Sequence, residues 1–227
     1  MVSRWTTLKK YTTPLNNMTT EPTIFIVDDN KIIHQMIEQV IKTLNKKMVS
    51  YFSALEFLNN VNPDAAGCLL LDFMMPLMNG TELYDQMRIR HFSMPVIMIT
   101  AFGNVSLAVD EMKKGLFDFI EKPIEPQVLI DTVQRALDYD AQQREINLQQ
   151  HELLARLKTL TPKEHEVMEK VVKGKLSKII AYEQGISMKT VEKHRAHVMK
   201  KMQAKNIAQL VHISEQCGIF TSHFSDK

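Results

Sequence analysis

Cysteine is almost missing from the 227-residue chain, which holds only Cys68 and Cys217. The two stand far apart and form no C-x-x-C pattern, so neither a disulfide framework nor a zinc site is implied. Both read as buried or incidental thiols. Long apolar runs are missing too. None approaches the roughly 18 residues of a membrane span, and residues 1–20 lack the apolar stretch of a secretory signal. No membrane partner is expected, and the cytoplasm is the expected compartment. Nor is there a large excess of charge of one sign, since the formal net charge is +2.

That small net charge conceals an asymmetry. Residues 1–158 hold 16 Lys and Arg against 19 Asp and Glu, whereas residues 159–227 hold 12 against 7. A basic segment on a near-neutral chain suggests a polyanion at one end only, because Lys and Arg that neutralise phosphates release condensed counterions. A solvated basic surface is the plainer reading of the same charges. Hydrophobic residues make up 44% and charged residues 24%, which is enough to build a core and argues against disorder. The length suggests two domains.

Residues 1–20 are polar and Thr-rich without apolar period, and read as a disordered tail; Met18 is a second candidate start. From Thr23 short apolar runs alternate with amphipathic stretches: TIFIVDD, a helix near 30–44, MVSYF, a helix near 53–61, and CLLLD. A helix near 79–91, MPVIMIT, a helix near 104–115, FDFI and a helix from about Glu125 complete the series. Five near-continuous apolar strands alternating with five helices predict an α/β fold, a doubly wound parallel sheet covered on both faces. Residues 126–158 have no Gly and no Pro after Pro126, as a long exposed helix would. Tyr139, Ile146, Leu153 and Leu160 recur at intervals of seven, so a coiled-coil seam and a solvated single helix are both open.

After Leu160 the strand signal stops and four short helices are predicted. Thr161-Pro162-Lys163-Glu164 has the form of a capping box with Pro at the first helical position, opening a helix to about Val172. Ser177–Gln184 is a second helix, Gly185-Ile186-Ser187 the turn, and Ser187 caps a third that runs to about Met202. A last helix covers roughly 206–216.

Polar chemistry gathers at the strand ends: Asp28 and Asp29 after the first, Asp72 after the third, Thr100 after the fourth, and Lys122 just past the fifth. In a parallel sheet these ends converge, and ligands bind there. Three carboxylates in one pocket repel one another unless a cation joins them, so a hard, oxygen-liganded ion such as Mg²⁺ is expected. Asp72 could then attack a phosphoryl group as nucleophile, with Lys122 and the Thr100 hydroxyl pairing to its oxygens. A lone Asp or Thr at such a place is ordinarily a cap or a strand end; five together are not.

The segments I-x-V-D-D, L-L-L-D-F-M-M-P-x-M-N-G, V-I-M-I-T-A and F-D-F-I-E-K-P resemble the receiver domain of two-component response regulators over residues 23–138. The resemblance implies a flavodoxin-like fold and phosphorylation of Asp72 by a sensor histidine kinase. It further implies Mg²⁺ held by Asp29, Asp72 and the carbonyl of Met74, with Asp28 assisting. Thr100 and Phe119 resemble the switch pair, and Ala101 is small enough to leave the pocket open. Leu77 departs from the pattern, where Gly is frequent. The face spanning about 104–138 is the usual dimerisation surface, which implies a homodimer on phosphorylation.

On the third helix of the C-terminal part, Val191, Val198 and Met202 share one face and Lys189, Lys193, His197 and Lys200 the other. Such a helix suits a major groove, with early residues at base edges and flanks on phosphates. The stretch L-T-P-K-E-H-E-V to M-K-K-M closely resembles the LuxR-type helix-turn-helix, particularly its FixJ branch, over about 158–216. By position, Glu192 and Lys193 are candidates for base contact and Lys189, Thr190, His194, Arg195 and Lys200 for phosphate or groove contact on double-stranded DNA. His194 reads alternatively as a core histidine, and Gln184 stands where Leu usually packs.

The expected organisation is a tail over 1–20, a receiver over 21–138, a helical linker over 139–157 and a LuxR-type domain over 158–220. The expected function is phosphorylation-controlled, sequence-specific DNA binding and transcription, with no enzymatic activity beyond phosphotransfer and hydrolysis at Asp72. The alternative is a receiver-controlled adaptor that does not bind DNA. A phosphatase acting on external substrates is a third and weaker class.

Overall fold

The computed structural model describes residues 21–101 and 112–217. The tail expected over 1–20 and most of the helix expected near 104–115 lie outside them. Two compact units divide between Glu145 and Ile146.

The first unit holds five parallel strands: β1 (Thr23–Val27), β2 (Lys47–Tyr51), β3 (Gly67–Asp72), β4 (Val96–Ala101) and β5 (Asp118–Lys122). Their order is β2-β1-β3-β4-β5. Alternate residues of each strand enter two separate cores, as the pleat requires. Phe25, Val27, Leu69, Leu71 and Met98 pack on one face with Phe57, Leu83 and Met87, from α2 (Ala54–Asn60) and α3 (Gly80–Ile89). Ile24, Ile26, Leu70, Ile97 and Ile99 pack on the other with Ile37 and Ile41 of α1 (Lys31–Ile41). Leu129, Val133 and Leu137 from the start of α4 (Pro126–Lys158) complete that face. Each such side chain contributes roughly 1.5–3 kcal/mol by leaving water. Cys68 is fully buried; burial, with the charge of Asp140 adding, pushes its thiol up to about 12, so it is chemically quiet.

The chain leaves β1 to one side for β2 and returns on the other for β3. This reversal opens a crevice at the carboxyl ends of β1 and β3. The helices that follow β1, β2 and β3 each begin at a side-chain cap. Asn30 accepts from the Ile32 amide, Ser53 from Glu56, and Asn79 forms a reciprocal box with Glu82.

The second unit begins within α4 and contains α5 (Pro162–Val172), α6 (Ser177–Gln184), α7 (Met188–Lys201) and α8 (Ile207–Gln216). Val167, Met168 and Val171 of α5, Ile180 of α6, and Val191, Val198 and Met202 on α7 and its cap form the core. Thr161 and Glu164 make the capping box expected of them. Gly185 ends α6 with φ +63°, a left-handed turn that favours glycine, and Ser187 caps α7 through the Thr190 amide.

The heptad spacing is not a continuous seam. Tyr139 lies against Phe117, with ring centroids 5.3 Å apart, in the first unit. Leu153 and Leu160 pack against the core of the second, while Tyr139 and Ile146 are exposed. Among the described residues, no helix is long and apolar enough to cross a membrane.

Candidate functional site

Asp28 directly follows β1 and Asp72 ends β3, so register brings them side by side; Asp29 follows in the loop before α1. One carboxylate oxygen from each of the three lies within 4.8 Å of the others. Asp28 and Asp72 are buried and Asp29 is exposed. The Asp28 loop is tied down: its Oδ1 accepts the Asn30 amide at 2.7 Å, and its carbonyl accepts Nε2 of the buried His34 at 2.6 Å. Among the described residues Asp28 Oδ2 has no hydrogen-bond partner, its nearest cation being Lys122 Nζ at 3.6 Å. A buried carboxylate oxygen without a donor, beside two other carboxylates, is a hard-oxygen donor set that fits Mg²⁺.

Lys122 Nζ donates to Asp72 Oδ1 at 2.7 Å, and the Met74 amide donates to Oδ2 at 3.2 Å. Burial, joined by the negative charge of Asp28, raises the Asp72 carboxyl above its ordinary range, against the opposing pull of Lys122 and the Met74 amide. Lys122 is also raised: burial alone would lower it, but its hydrogen bond to Asp72 and the negative charges of Asp72 and the nearby Asp28 outweigh that. The pocket thus holds more negative charge than one lysine neutralises.

Thr100 is fully buried at the end of β4, and among the described residues its hydroxyl makes only a long, 3.4 Å contact with the Ala101 carbonyl. Phe119 is paired in register with Met98, two residues before Thr100. Thr100 and Phe119 therefore project from the same face of the sheet. Lys122, expected just past the last strand, is its final residue and is paired with the exposed Ala101.

Two contributors escaped sequence reasoning. His34 holds the Asp28 backbone from α1, six residues away, and no motif announces it. Gly80 lets α3 begin against Asp72, since a Cβ there would lie 2.4 Å from the Asp72 carbonyl oxygen; the Asn-Gly pair of the quoted segment was its signal.

On α7 the expected basic face is present in part. Lys189, Glu192, Lys193 and Lys200 are exposed, whereas Thr190, His194 and Arg195 are half-buried. Arg195 donates to the Ser177 hydroxyl at 2.9 Å, tying α7 to the start of α6. Thr190 is engaged in the cap, its hydroxyl 2.8 Å from that of Ser187. Nδ1 of the half-buried His194 is closed off from solvent and has no hydrogen-bond partner among the described residues. His197 is exposed, as expected on that face, and its Nδ1 lies 3.3 Å from Oε1 of Glu164, a buried carboxylate on α5. Ala196 is exposed between Lys193 and Lys200; sequence reading passed over it because alanine carries no functional group. Gln184 makes a polar contact, donating to Glu166 at 3.3 Å.

Glu164 also accepts from Lys201 at 2.6 Å. Burial pushes this carboxyl up, but the bonds from Lys201 and from the Thr161 amide and hydroxyl outweigh it and hold it at about 2. Glu183 is likewise held at about 2 by hydrogen bonds from Lys170 and Lys175, so those two lysines serve the surface of the unit.

Residues 24–134 match the response regulator receiver domain family, and residues 158–214 match the luxR family of bacterial regulatory proteins. The chain is 33% identical to nodulation protein W of Bradyrhizobium diazoefficiens over 204 residues, covering 90% of each chain. It is 32% identical to the transcriptional regulatory protein FixJ of the same organism, covering 89% of this chain and 98% of that one. The solved structure of the response regulator StyR superposes with a TM-score of 0.80 at 33% identity, covering 87% of this chain and all of that one. These relatives support a DNA-binding regulator over an adaptor that does not bind DNA. The chain belongs to the response regulators that join a receiver domain to a LuxR-type DNA-binding domain.

Proposed function

We propose that Asp72 accepts a phosphoryl group from the histidine of a sensor kinase, and that its phosphorylation state controls binding of α7 to specific DNA sites. The observation that carries this reading is the unpartnered, buried Oδ2 of Asp28 beside Asp72, with one lysine serving both carboxylates. Asp28, Asp29, Asp72 and the Met74 carbonyl would hold Mg²⁺, which supplies positive charge to the phosphoryl oxygens.

An Asp72 carboxylate oxygen attacks phosphorus; the O–P bond forms as the N–P bond to the donor imidazole breaks, and the ring leaves as neutral histidine after taking up a proton. Lys122 gives up its bond to Asp72 Oδ1 and pairs with the phosphoryl oxygens. The Thr100 hydroxyl exchanges its weak contact with Ala101 for a phosphoryl oxygen, and Phe119, on the same face, fills the space this vacates. Water later cleaves the acyl phosphate, returning the carboxylate and inorganic phosphate.

At the other end, Lys193 and Glu192 read base edges, while Lys189, Lys200 and the half-buried Thr190, His194 and Arg195 position α7 on the duplex. A phosphorylation-dependent homodimer would place two copies of α7 on paired half-sites. The receiver would span 21–138 and the DNA-binding domain 158–220, joined by the linker over 139–157, in a cytoplasmic protein.

Acetyl phosphate with Mg²⁺ is expected to raise the affinity of the full-length protein for sites selected from random duplexes. Asp72→Asn should bind those sites with the same affinity with or without the phosphodonor. An equal response by Asp72→Asn and wild type would defeat the proposal.

A further inference from the structure

Among the described residues, four that are not glycine have a left-handed backbone: Asn45, Leu77, His91 and Gln203. Three are polar, and asparagine in particular tolerates this region by bonding its own backbone. Leu77, at φ +69°, is the apolar exception. Its Cβ strains a conformation that glycine adopts freely.

Burial does not repay that strain, because Leu77 is 96% exposed. The loop is rigid on either side of it. The Met74 amide is bound to Asp72, the Met78 amide to the Pro76 carbonyl, and the Gly80 amide to the Phe73 carbonyl at 3.0 Å, where the Asn79 cap starts α3. A firmly held loop beside Asp72 thus presents a leucine to solvent against the backbone's preference. Strain of this kind at a functional site points to a role outside the fold.

Other large exposed apolar residues share the same end of the sheet. Met74 is in this loop, Ile32 is in the first turn after β1, and Phe52 and Leu55 follow β2. These loops and first helical turns follow three adjacent strands, β2-β1-β3, so their exposed apolar side chains rim the end of the sheet that holds the acidic pocket. A small phosphodonor can reach Asp72 without touching such a rim. A protein that brings its own phosphohistidine within bonding distance of Asp72 must cover it.

We infer that Leu77 is a docking and specificity residue for the phosphodonor protein, burying its side chain against an apolar surface of that partner. This rests on the reading of Asp72 as phosphoacceptor. The partner is a protein that carries a phosphorylated histidine and an apolar patch beside it.

The test uses the full-length chain and its Leu77→Gly and Leu77→Asn variants, both suited to a left-handed backbone. The donors are acetyl phosphate and the histidine kinases of the same genome, each purified and labelled with radioactive ATP. Both variants are expected to melt at or above the wild-type temperature and to accept phosphate from acetyl phosphate at the wild-type rate. The kinase that labels wild type fastest should label both variants at least ten-fold more slowly at sub-saturating concentration. Wild-type rates from that kinase would overturn the inference. An equal loss with acetyl phosphate would also overturn it, since Leu77 would then shape the pocket rather than the docking, and a clear fall in melting temperature would show that it supports the fold. Labelling of Asp72→Asn as fast as wild type would instead remove the phosphoacceptor reading itself, and the docking role with it.

Discussion

The backbone amide of Gly67 donates to the Asp140 carboxylate at 2.8 Å, joining the first residue of the strand that ends in Asp72 to the helix that runs on into the second unit. Arg144, one turn later, completes the joint. Its Nε donates to the same Asp140 oxygen at 2.7 Å, and its two terminal nitrogens to the carbonyls of Asp64 and Ala65. The pair is mostly buried, with side chains 4% and 16% exposed. Helix α4 is therefore fixed to the receiver sheet beyond its apolar contacts through Leu137 and Tyr139.

Removing one partner of a buried ion pair leaves the other charge without compensation. Arg144→Ala is expected to destabilise the first unit by about 3 kcal/mol. Urea unfolding followed by a probe in that unit checks this. A midpoint within error of wild type would mean that Asp140 and Arg144 contribute no more than a surface pair.

The acidic pocket should behave in the opposite sense. Asp72 is raised by burial and by Asp28, so the folded state binds its proton more tightly than the unfolded chain does. Its contribution is favourable at low pH and is lost as pH rises through the folded carboxyl's range. Asp72→Asn should therefore raise the melting temperature of the metal-free protein at pH 7, and the gain should vanish on acidification below the ordinary carboxylate range. Mg²⁺ should stabilise wild type more than Asp72→Asn, because the variant lacks one of its anionic donors. Calorimetry with EDTA or excess Mg²⁺ measures both effects, and a destabilised Asp72→Asn at pH 7 would contradict this account of the pocket.

Glu164 titrates the other way. Its folded pKa, about 2, lies below the ordinary 4.5. The stability it confers is complete above about pH 4.5 and is lost as pH falls towards 2. Glu164→Gln is expected to weaken the second unit by about 2 kcal/mol at pH 7, from the loss of charge-assisted bonds. The difference from wild type should shrink steadily below pH 4.5. A difference that stays constant down to pH 2 would show that the carboxylate charge is not what Lys201 and Thr161 hold.

Much of this was legible in the sequence for local reasons. Strands that alternate between two buried faces read as continuous apolar runs, and the caps at Asn79, Thr161 and Ser187 announce helix starts by themselves. The pocket was legible because its residues lie at strand ends that a parallel sheet must gather. Asp140 and Arg144 were not, since an Asp and an Arg four apart on a helix ordinarily form an exposed pair, and nothing local says that Gly67 lies opposite. The contact of His197 with the buried carboxylate of Glu164, thirty-three residues earlier, was not legible either, because spacing along one helix does not show what a neighbouring helix brings beside it. The spacing of Tyr139, Ile146, Leu153 and Leu160 left two readings open because the two units draw on the helix for different contacts.

The exposed stripe of α7 allows a last prediction that separates affinity from shape. Lys189, Lys193, Ala196 and Lys200 follow one another at helical spacing and all are exposed. A lysine on a phosphate acts through its charge, so Lys200→Ala should weaken binding to every duplex alike and reduce the slope of log affinity against log salt by about 0.9. Lys193→Ala should instead lose about 1–3 kcal/mol at the preferred site and little elsewhere. Ala196 has no charge to lose, and its place between the two lysines requires a small side chain if α7 is to lie deep in a groove. Ala196→Leu keeps the helix, since leucine forms helices nearly as well as alanine, yet it should abolish specific binding while leaving the melting temperature unchanged. Specific binding by Ala196→Leu at wild-type affinity, measured by anisotropy over a range of salt, would place the DNA on another face of the unit.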